Sequence, residues 1–302
     1  MKRLLLFLAL IVTTTAYAQK TEDTKLKRQL QELMKDFNGR AGIYVKNLRT
    51  GKTASINGDE MFPTASMIKV PIMCGVFDEI QKGNLTYQQE LIYKDSLLYA
   101  GEDILGSFKD GEKIRLSKVQ MLSITTSDNT ASLWLQKLVG GENINNWLQE
   151  NGFDSLRVNS RIPARRQNWK EYGWGQTTPR EMASLLEKIR DGKVVSPAAS
   201  ERMYRNLIRI YHDGHALSQI PPYVQVASKQ GAVDRARSEV VLVNAPHGDY
   251  VFCIATKNQK DTSWTSKNEG YQLITNVSAL LWKYFEPRSS WKPADGIEQF
   301  QK

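Results

Sequence analysis

The stretch FPTASMIKVP, residues 62–71, decides how the rest of the chain is interpreted, because a turn of small residues leads there into an apolar run. Ser66 stands at the start of that run, and Lys69 follows three positions later, on the same face of a helix. A serine hydroxyl becomes an effective nucleophile when a base takes its proton. A partly desolvated lysine beside it can lose its charge and act as that base. The stretch predicts a nucleophilic serine at the first helical turn, where backbone N–H groups are unpaired.

By itself, this spacing also fits a serine near a helix start with a lysine in solvent. A second motif therefore matters: Ser127-Asp128-Asn129 follows Ser66 by about sixty residues, at a predicted joint between two helices. A hydroxyl at such a joint can shuttle a proton, and an amide can hold a substrate carbonyl. The same tripeptide is also common as a simple turn.

A third motif, Lys229-Gln230-Gly231, lies at the predicted end of an apolar strand. The lysine supplies positive charge there, and the glycine leaves the strand edge open to a ligand. A helix start at Thr177-Thr178-Pro179, with Thr178 as cap and Pro179 as first residue, follows an irregular segment. The motifs in this order indicate one assembled catalytic site.

At this point the chain resembles the class A β-lactamases and the wider penicillin-recognising serine hydrolases, which carry Ser-x-x-Lys, Ser-Asp-Asn and Lys-Thr/Ser-Gly in that order. The resemblance covers residues 24–285. It implies a helical domain beside an antiparallel sheet with flanking terminal helices, and a site in the cleft between them.

The resemblance also implies catalytic roles. Ser66 would be the acylated nucleophile, and Lys69 would take part in its activation. Ser127 would relay a proton to the leaving nitrogen. The backbone N–H groups of Ser66 and Ala232 would form the oxyanion hole, whose donors meet the charge that develops on the attacked carbonyl.

Substrate contacts follow in the same way. Asn129 would bind the acylamide side chain, and Lys229 would help to bind the substrate carboxylate beside Gln230 and Gly231. Gln230 departs from the family, which usually has threonine or serine there, and its bulk affects selectivity. Arg235 or Arg237 is either a further carboxylate contact or a solvent-facing arginine.

A second departure concerns release of the acyl group. Class A enzymes hold a glutamate about four residues before an asparagine in the irregular loop, where it positions the attacking water. If Asn168 is that asparagine, Ala164 stands in the place of the glutamate. Glu171 is then the carboxylate of residues 157–178, and it is either a replacement base or a surface ion pair.

The remaining pattern predicts an α+β fold of the β-lactamase/transpeptidase-like kind, with an antiparallel sheet built from both termini, flanking helices and an inserted helical domain. Period-two segments predict strands at 41–45, 54–56, 223–229, 239–244 and 250–256. Period-3.6 segments predict helices that include 24–37, 66–82, 130–139, 198–210 and 267–285. We assign 24–60 and 211–286 to the sheet domain, 61–210 to the helical domain, and 287–302 to a peripheral tail. Residues 157–176 show no periodicity, and so long a loop is more often functional than idle.

The N-terminus has the pattern of a secretory signal: a basic pair at positions 2–3, an apolar run at 4–12 too short to span a bilayer, and Ala16-Tyr17-Ala18 as a cleavage site. We expect residues 1–18 to be removed after Ala18, no later membrane span, and a monomer that is periplasmic or secreted. The net charge of +9 is spread along the chain, which favours a small anionic substrate over nucleic acid.

The two cysteines, Cys74 and Cys253, both lie in apolar runs. An exported chain could join them, but two buried thiols fit the runs better. They are too few and too far apart for a metal cluster, and we expect neither a metal nor a cofactor.

The expected function is an exported serine hydrolase of class A β-lactamase type, which opens β-lactam amides through an acyl-Ser66 intermediate and deacylates slowly. Two alternatives remain open. One is a D,D-peptidase or related amide or ester hydrolase acting on a peptidoglycan-like substrate. The other is a penicillin-binding protein that is acylated without turnover.

Overall fold

The computed structural model describes residues 22–99, 101 and 103–300, so the predicted signal sequence lies outside the described residues. The α-helices of this part of the chain are α1 (Thr24–Met34), α2 (Lys69–Gln81), α3 (Leu116–Thr125), α4 (Asn129–Val139), α5 (Gly141–Glu150), α6 (Arg166–Tyr172), α7 (Pro179–Arg190), α8 (Pro197–Leu207) and α9 (Glu269–Phe285). The strands are β1 (Arg40–Asn47), β2 (Thr53–Ile56), β3 (Phe62–Pro63), β4 (Glu90–Ile92), β5 (Lys113–Arg115), β6 (Arg157–Val158), β7 (Gly175–Thr177), β8 (Val226–Val233), β9 (Ala236–Val243) and β10 (Tyr250–Lys257).

A five-stranded antiparallel sheet has the order β2-β1-β10-β9-β8, so strands from both ends of the chain lie side by side. β1 pairs with β10 from Arg40↔Lys257 to Asn47↔Tyr250. Strand β9, between β10 and β8, is buried along its whole length, which explains the apolar run Val240-Val241-Leu242-Val243 in its second half. The prediction of an α+β fold with a sheet from both termini is confirmed.

Each face of the sheet has its own apolar core because side chains alternate along a strand. Ile43 and Val241 face α1 and α9, which contribute Leu30 and Leu281 among others. Alternate residues of the same strands, such as Val240, face the larger core of the inserted helices. At the centre of that core is α2, whose first nine residues are all buried.

The predicted domain division stays a prediction, and two features bear on it. Helix α7 lies within the predicted helical range but packs against β1, β9 and β10. Its cap is as expected, because the Thr178 hydroxyl accepts the Glu181 N–H at 3.2 Å. Residues 287–300 are mostly exposed, although Trp291 packs against the α1/α9 core.

Three boundaries differ from the predictions. The helix predicted from residue 66 begins at Lys69, and a 3₁₀ turn, Ala65–Ile68, precedes it. The strand predicted at 223–229 is β8, which begins at Val226 and continues to Val233 because β9 pairs with it to that point. The segment 157–176 is not a plain loop, since it contains α6, and α6 buries none of its residues and so leaves no apolar period to detect.

Both cysteines are buried and free, as predicted, and burial raises the pKa of both thiols. Cys74 lies in α2, and Cys253 in β10. No helix in the described ranges combines the length and apolar character needed to cross a bilayer.

Candidate active site

The turn that carries Ser66 is under backbone strain. Ala65, directly before the serine, has φ of 44°, a left-handed conformation that residues other than glycine seldom adopt. The strain is held by packing, since Ala65 is buried and β3 pairs with β7 just upstream. As a result, Ser66 stands half-exposed at the N-terminal end of α2 and lines a cavity of about 590 Å³.

Lys69, the first residue of α2, is completely buried. Its ammonium donates to Asn129 Oδ1 at 2.7 Å, to Ser127 Oγ at 3.1 Å and to the Ser127 carbonyl. Burial lowers the pKa of Lys69 to about 7, although the charges of Asp103 and Asp128 oppose the shift. A substantial fraction of Lys69 is therefore neutral near pH 7, as a base requires.

The Ser127-Asp128-Asn129 motif lies between α3 and α4, as predicted. The buried Asp128 carboxylate caps α4 by accepting Ala131 N–H at 2.7 Å, and its other oxygen accepts Leu105 N–H at 2.8 Å. Ser127 has φ of 59°, so the motif leaves the helix path sharply. These bonds hold Ser127 and Asn129 over Lys69.

Lys229 is also fully buried, and it donates to Ser127 Oγ at 3.0 Å. The Ser127 oxygen thus accepts hydrogen bonds from two ammonium groups, so its own hydroxyl proton points away from both lysines. Burial, and then the charge of Lys69, lower the pKa of Lys229 well below its ordinary value. The other Lys229 donors meet the Gln230 carbonyl at 3.0 Å and Gln230 Oε1 at 2.9 Å. Gln230 therefore covers the cation that the family pattern reserves for a substrate carboxylate.

The third motif lies within β8 and not at a strand end, which corrects the prediction. A Cβ on Gly231 would lie 2.7 Å from Ser66 N and 2.6 Å from the Thr64 carbonyl. The Ser238 hydroxyl donates to that same carbonyl at 3.0 Å. Only glycine allows this approach of β8 to the Ser66 turn, and it places Ala232 in the lining of the same cavity as Ser66.

The two arginines of the β8–β9 hairpin face different surroundings. Arg237 is buried away from the cavity, with its guanidinium 4.6 Å from the ring centres of Trp264 and Tyr271. It donates to backbone carbonyls, including that of Ser263 at 2.7 Å. Arg235 lines the cavity. Of the two candidates for a substrate contact, only Arg235 is therefore able to reach a substrate in this cavity.

The segment 157–176 is held together by Gln176, whose Oε1 accepts from Asn168 Nδ2 at 3.0 Å and from Arg165 at 2.9 Å. Ala164 is exposed in the turn Pro163–Arg165 and is not part of the cavity lining. The structure therefore does not support Asn168 and Ala164 as equivalents of the family's asparagine and glutamate. Of the described residues that line the cavity, Glu171 is the one with a carboxylate.

The structure also adds cavity residues that the sequence did not single out. Tyr99 and Lys257 line the cavity from the segment after β4 and from the end of β10. Tyr99 meets Trp174 edge to face, with ring centres 5.2 Å apart. Neither residue lies in a motif, so only tertiary packing identifies them. The described residues contain no group of three or more His, Cys, Asp or Glu side chains that could hold a metal ion.

A serine at a helix start, a buried lysine of lowered pKa, and Ser127 between two lysines define a penicillin-recognising serine hydrolase. A model of the Beta-lactamase enzyme family matches residues 25–285, and the chain belongs to this family. It is a serine β-lactamase-like hydrolase. The roles of the individual site residues stay predictions.

The relatives agree with this assignment. The chain is 25% identical over 299 residues to Beta-lactamase VEB-1 of Pseudomonas aeruginosa, covering 94% of this chain and 98% of the relative. A mutant of PBP-A, solved as an acyl-enzyme complex with penicillin-G, superposes with a TM-score of 0.78 and 28% identity, over 88% of this chain and 98% of the other. An ancestral class A β-lactamase superposes with a TM-score of 0.76 at 22% identity, over 86% of this chain and all of the other, and this match concerns the fold alone.

Proposed function

We propose that the protein opens the amide of β-lactams by forming an acyl-enzyme on Ser66, and that it releases the acyl group slowly. The observation that carries the proposal is the buried Lys69 ammonium. Its pKa of about 7, its position three residues after Ser66, and its bonds to Ser127 and to the cavity residue Asn129 support Lys69 as the base.

The proposed acylation proceeds through Ser66, Lys69 and Ser127. Neutral Lys69 takes the Ser66 proton, and Ser66 Oγ attacks the lactam carbonyl. The carbonyl oxygen accepts hydrogen bonds from the backbone N–H groups of Ser66 and Ala232. As the C–N bond breaks, Ser127 gives its proton to the leaving nitrogen. Lys69, 3.1 Å from Ser127 Oγ, returns a proton to Ser127, so the protons balance.

The cavity offers a less suitable base for deacylation than for acylation. Attack by water on the ester needs a second base in reach. Glu171, the carboxylate of the cavity lining, is exposed on α6 and interacts with the hydroxyl of Tyr172. Loss of a general base typically lowers a rate about 10²–10⁴-fold. The acyl-enzyme is expected to accumulate.

A second candidate is a penicillin-binding protein that is acylated without turnover. The likeness to PBP-A, of which a mutant was solved as an acyl-enzyme complex with penicillin-G, favours it. Both functions share the acylation step and differ in the fate of the ester.

Intact-protein mass measurement over time after addition of penicillin-G tests both functions. Slow decay of a one-to-one adduct, with product release, supports slow turnover. A permanent adduct supports the second candidate. Absence of an adduct and of hydrolysis contradicts both, and cleavage of a D-alanyl-D-alanine peptide would then indicate the peptidase alternative. Ser66→Ala is the control for the site of labelling.

We also propose that the chain is exported, cut after Ala18 and monomeric in the periplasm or medium. The basic pair, the apolar run and the small-residue cleavage site support the export. N-terminal sequencing of protein from cell fractions tests the cleavage, and light scattering tests the monomer. In that location, β-lactam hydrolysis would lower antibiotic susceptibility, which growth assays with and without Ser66→Ala measure.

A further inference from the structure

The cavity extends beyond Ser66 between two walls. One wall is α6 and the residues after it, which contribute Trp169, Glu171 and Trp174. The other wall is the β8–β9 hairpin, which contributes Val233 and Arg235. Each wall therefore places one formal charge at the cavity, an acid on one side and a base on the other.

The direction of β8 indicates which part of a substrate would lie between these two walls. Lys229 precedes Ala232 along the strand, and Arg235 lies in the turn that follows the strand. If the attacked carbonyl lies at the N–H groups of Ser66 and Ala232, a carboxylate directed towards Lys229 leaves the acyl side chain pointing towards Arg235. Asn129, the expected amide contact, lines the same cavity.

Arg235 has no acidic partner within 4 Å in the described chain. Its guanidinium makes two long hydrogen bonds, to the carbonyls of Gln259 at 3.3 Å and Asn258 at 3.4 Å. Lys257, by contrast, is ion-paired at 3.0 Å with Glu60, a carboxylate that it shares with Arg40, and it donates to the Met61 carbonyl at 2.8 Å. Arg235 is thus the cation of this wall that is available to a ligand.

Glu171, on the opposite wall, is likewise without an ion-pair partner among the described residues. Within the described ranges, no lysine, arginine or histidine nitrogen lies within 4 Å of its carboxylate, and its interaction is with Tyr172. Tyr99 and Trp174, in edge-to-face contact, supply apolar lining that suits a short methylene chain. The cavity therefore combines an apolar middle with two opposite charges at its walls.

We propose that this part of the cavity binds an acyl side chain that ends in a free α-amino acid group, with its carboxylate on Arg235 and its ammonium on Glu171. The inference rests on the proposed acylation of Ser66 and adds the class of acyl group that the site prefers. A planar guanidinium suits a carboxylate because it can donate two parallel hydrogen bonds.

A matched series of cephalosporins with one nucleus tests the proposal. The three probes are 7-aminocephalosporanic acid acylated with D-α-aminoadipyl (zwitterionic), adipyl (anionic) and pentanoyl (neutral) groups. The measurement is the second-order rate constant of Ser66 acylation, from adduct mass and loss of ring absorbance. Each satisfied charge is expected to raise this constant about tenfold, in the order aminoadipyl, adipyl, pentanoyl.

Variants assign the effect to the two walls. Arg235→Gln is expected to lower the aminoadipyl-to-pentanoyl ratio about tenfold, and Glu171→Gln to lower the aminoadipyl-to-adipyl ratio about tenfold. The matched control is Arg288→Gln, in the exposed tail, which removes the same charge far from the hairpin and should preserve both ratios.

The possible failures are distinct. Equal acylation by the three compounds, or ratios that neither variant changes, would overturn the side-chain inference and leave acylation of Ser66 standing. Ratios lowered equally by Arg288→Gln would show a general field effect and overturn the assignment to Arg235. No adduct with any of the three, nor with penicillin-G, would overturn the proposed function itself.

Discussion

Replacement of Lys69 by methionine is expected to stabilise the fold at neutral pH and to abolish acylation. The ammonium is completely buried, and its pKa falls from 10.5 to about 7. A pKa lowered from 10.5 to about 7 corresponds to about 5 kcal/mol, by which a protonated Lys69 destabilises the folded state. Methionine has a similar length and carries no charge, so it removes this destabilisation.

The substitution also has an opposing effect. Without Lys69, Asn129 Oδ1 and the Ser127 carbonyl lose their donor, at about 1–3 kcal/mol for each buried acceptor left unpaired. A combined loss of about 3 kcal/mol leaves a net stabilisation of about 2 kcal/mol at pH 7.

The sign of the pH dependence follows from the proton count. Between pH 7 and pH 10.5 the unfolded chain holds a proton at Lys69 that the folded chain has released, so the stability of the parent rises with pH in this window. From pH 7 to pH 9.5 the Lys69 destabilisation falls by about 3 kcal/mol. The methionine variant should therefore be about 2 kcal/mol more stable than the parent at pH 7 and about 1 kcal/mol less stable at pH 9.5.

Urea unfolding of both proteins at the two pH values measures the change. Lys118→Met is the matched control, because Lys118 is an exposed lysine of α3, and its difference from the parent should be the same at both pH values. A parent-minus-variant difference that does not depend on pH would refute the lowered pKa. Persistent acylation of Lys69→Met by penicillin-G would remove the lysine from the mechanism.

Four further outcomes are expected. Ser66→Ala should retain the fold by circular dichroism and lose all covalent labelling by β-lactams; labelling at the parent rate would exclude this serine as nucleophile. Gly231→Ala should lower the acylation rate constant about 10²–10³-fold, as loss of an oxyanion-hole donor does, because its Cβ would push β8 away from the Ser66 turn; a rate within a few-fold of the parent would show that the strand approach is not needed. Thiol titration of denatured, unreduced protein should find both Cys74 and Cys253, whereas a zero count would mean a disulfide. Pre-steady-state hydrolysis should show a fast burst and slow turnover; if turnover is fast, Glu171→Gln should trap the adduct, and fast turnover in both proteins would contradict the account of residues 157–176.

The sequence predicted the elements whose side chains follow a clear period or whose ends carry specific caps. The sheet from both termini could be anticipated because β1, β9 and β10 each contain an apolar run of strand length, such as residues 240–243 in β9. The start of α7 could be predicted because Thr178 and Pro179 act locally, through a side-chain cap and a fixed φ. α6 could not be predicted, since a surface helix that buries none of its residues has no apolar period.

The sequence by itself also indicated which residue types the site combines, because Ser66, Lys69 and Ser127 belong to motifs with a recognisable spacing and order. Tertiary structure alone decided how that chemistry is tuned. Burial lowers the pKa of Lys69, and burial depends on the packing of distant segments around α2. Likewise, strand pairing placed Arg237 within β9 opposite Ala232, where it is buried, and left Arg235 in the two-residue turn between β8 and β9, at the cavity. Motifs show which chemical groups the chain contains, whereas the burial of a side chain and the side of the fold that it faces depend on the whole tertiary structure.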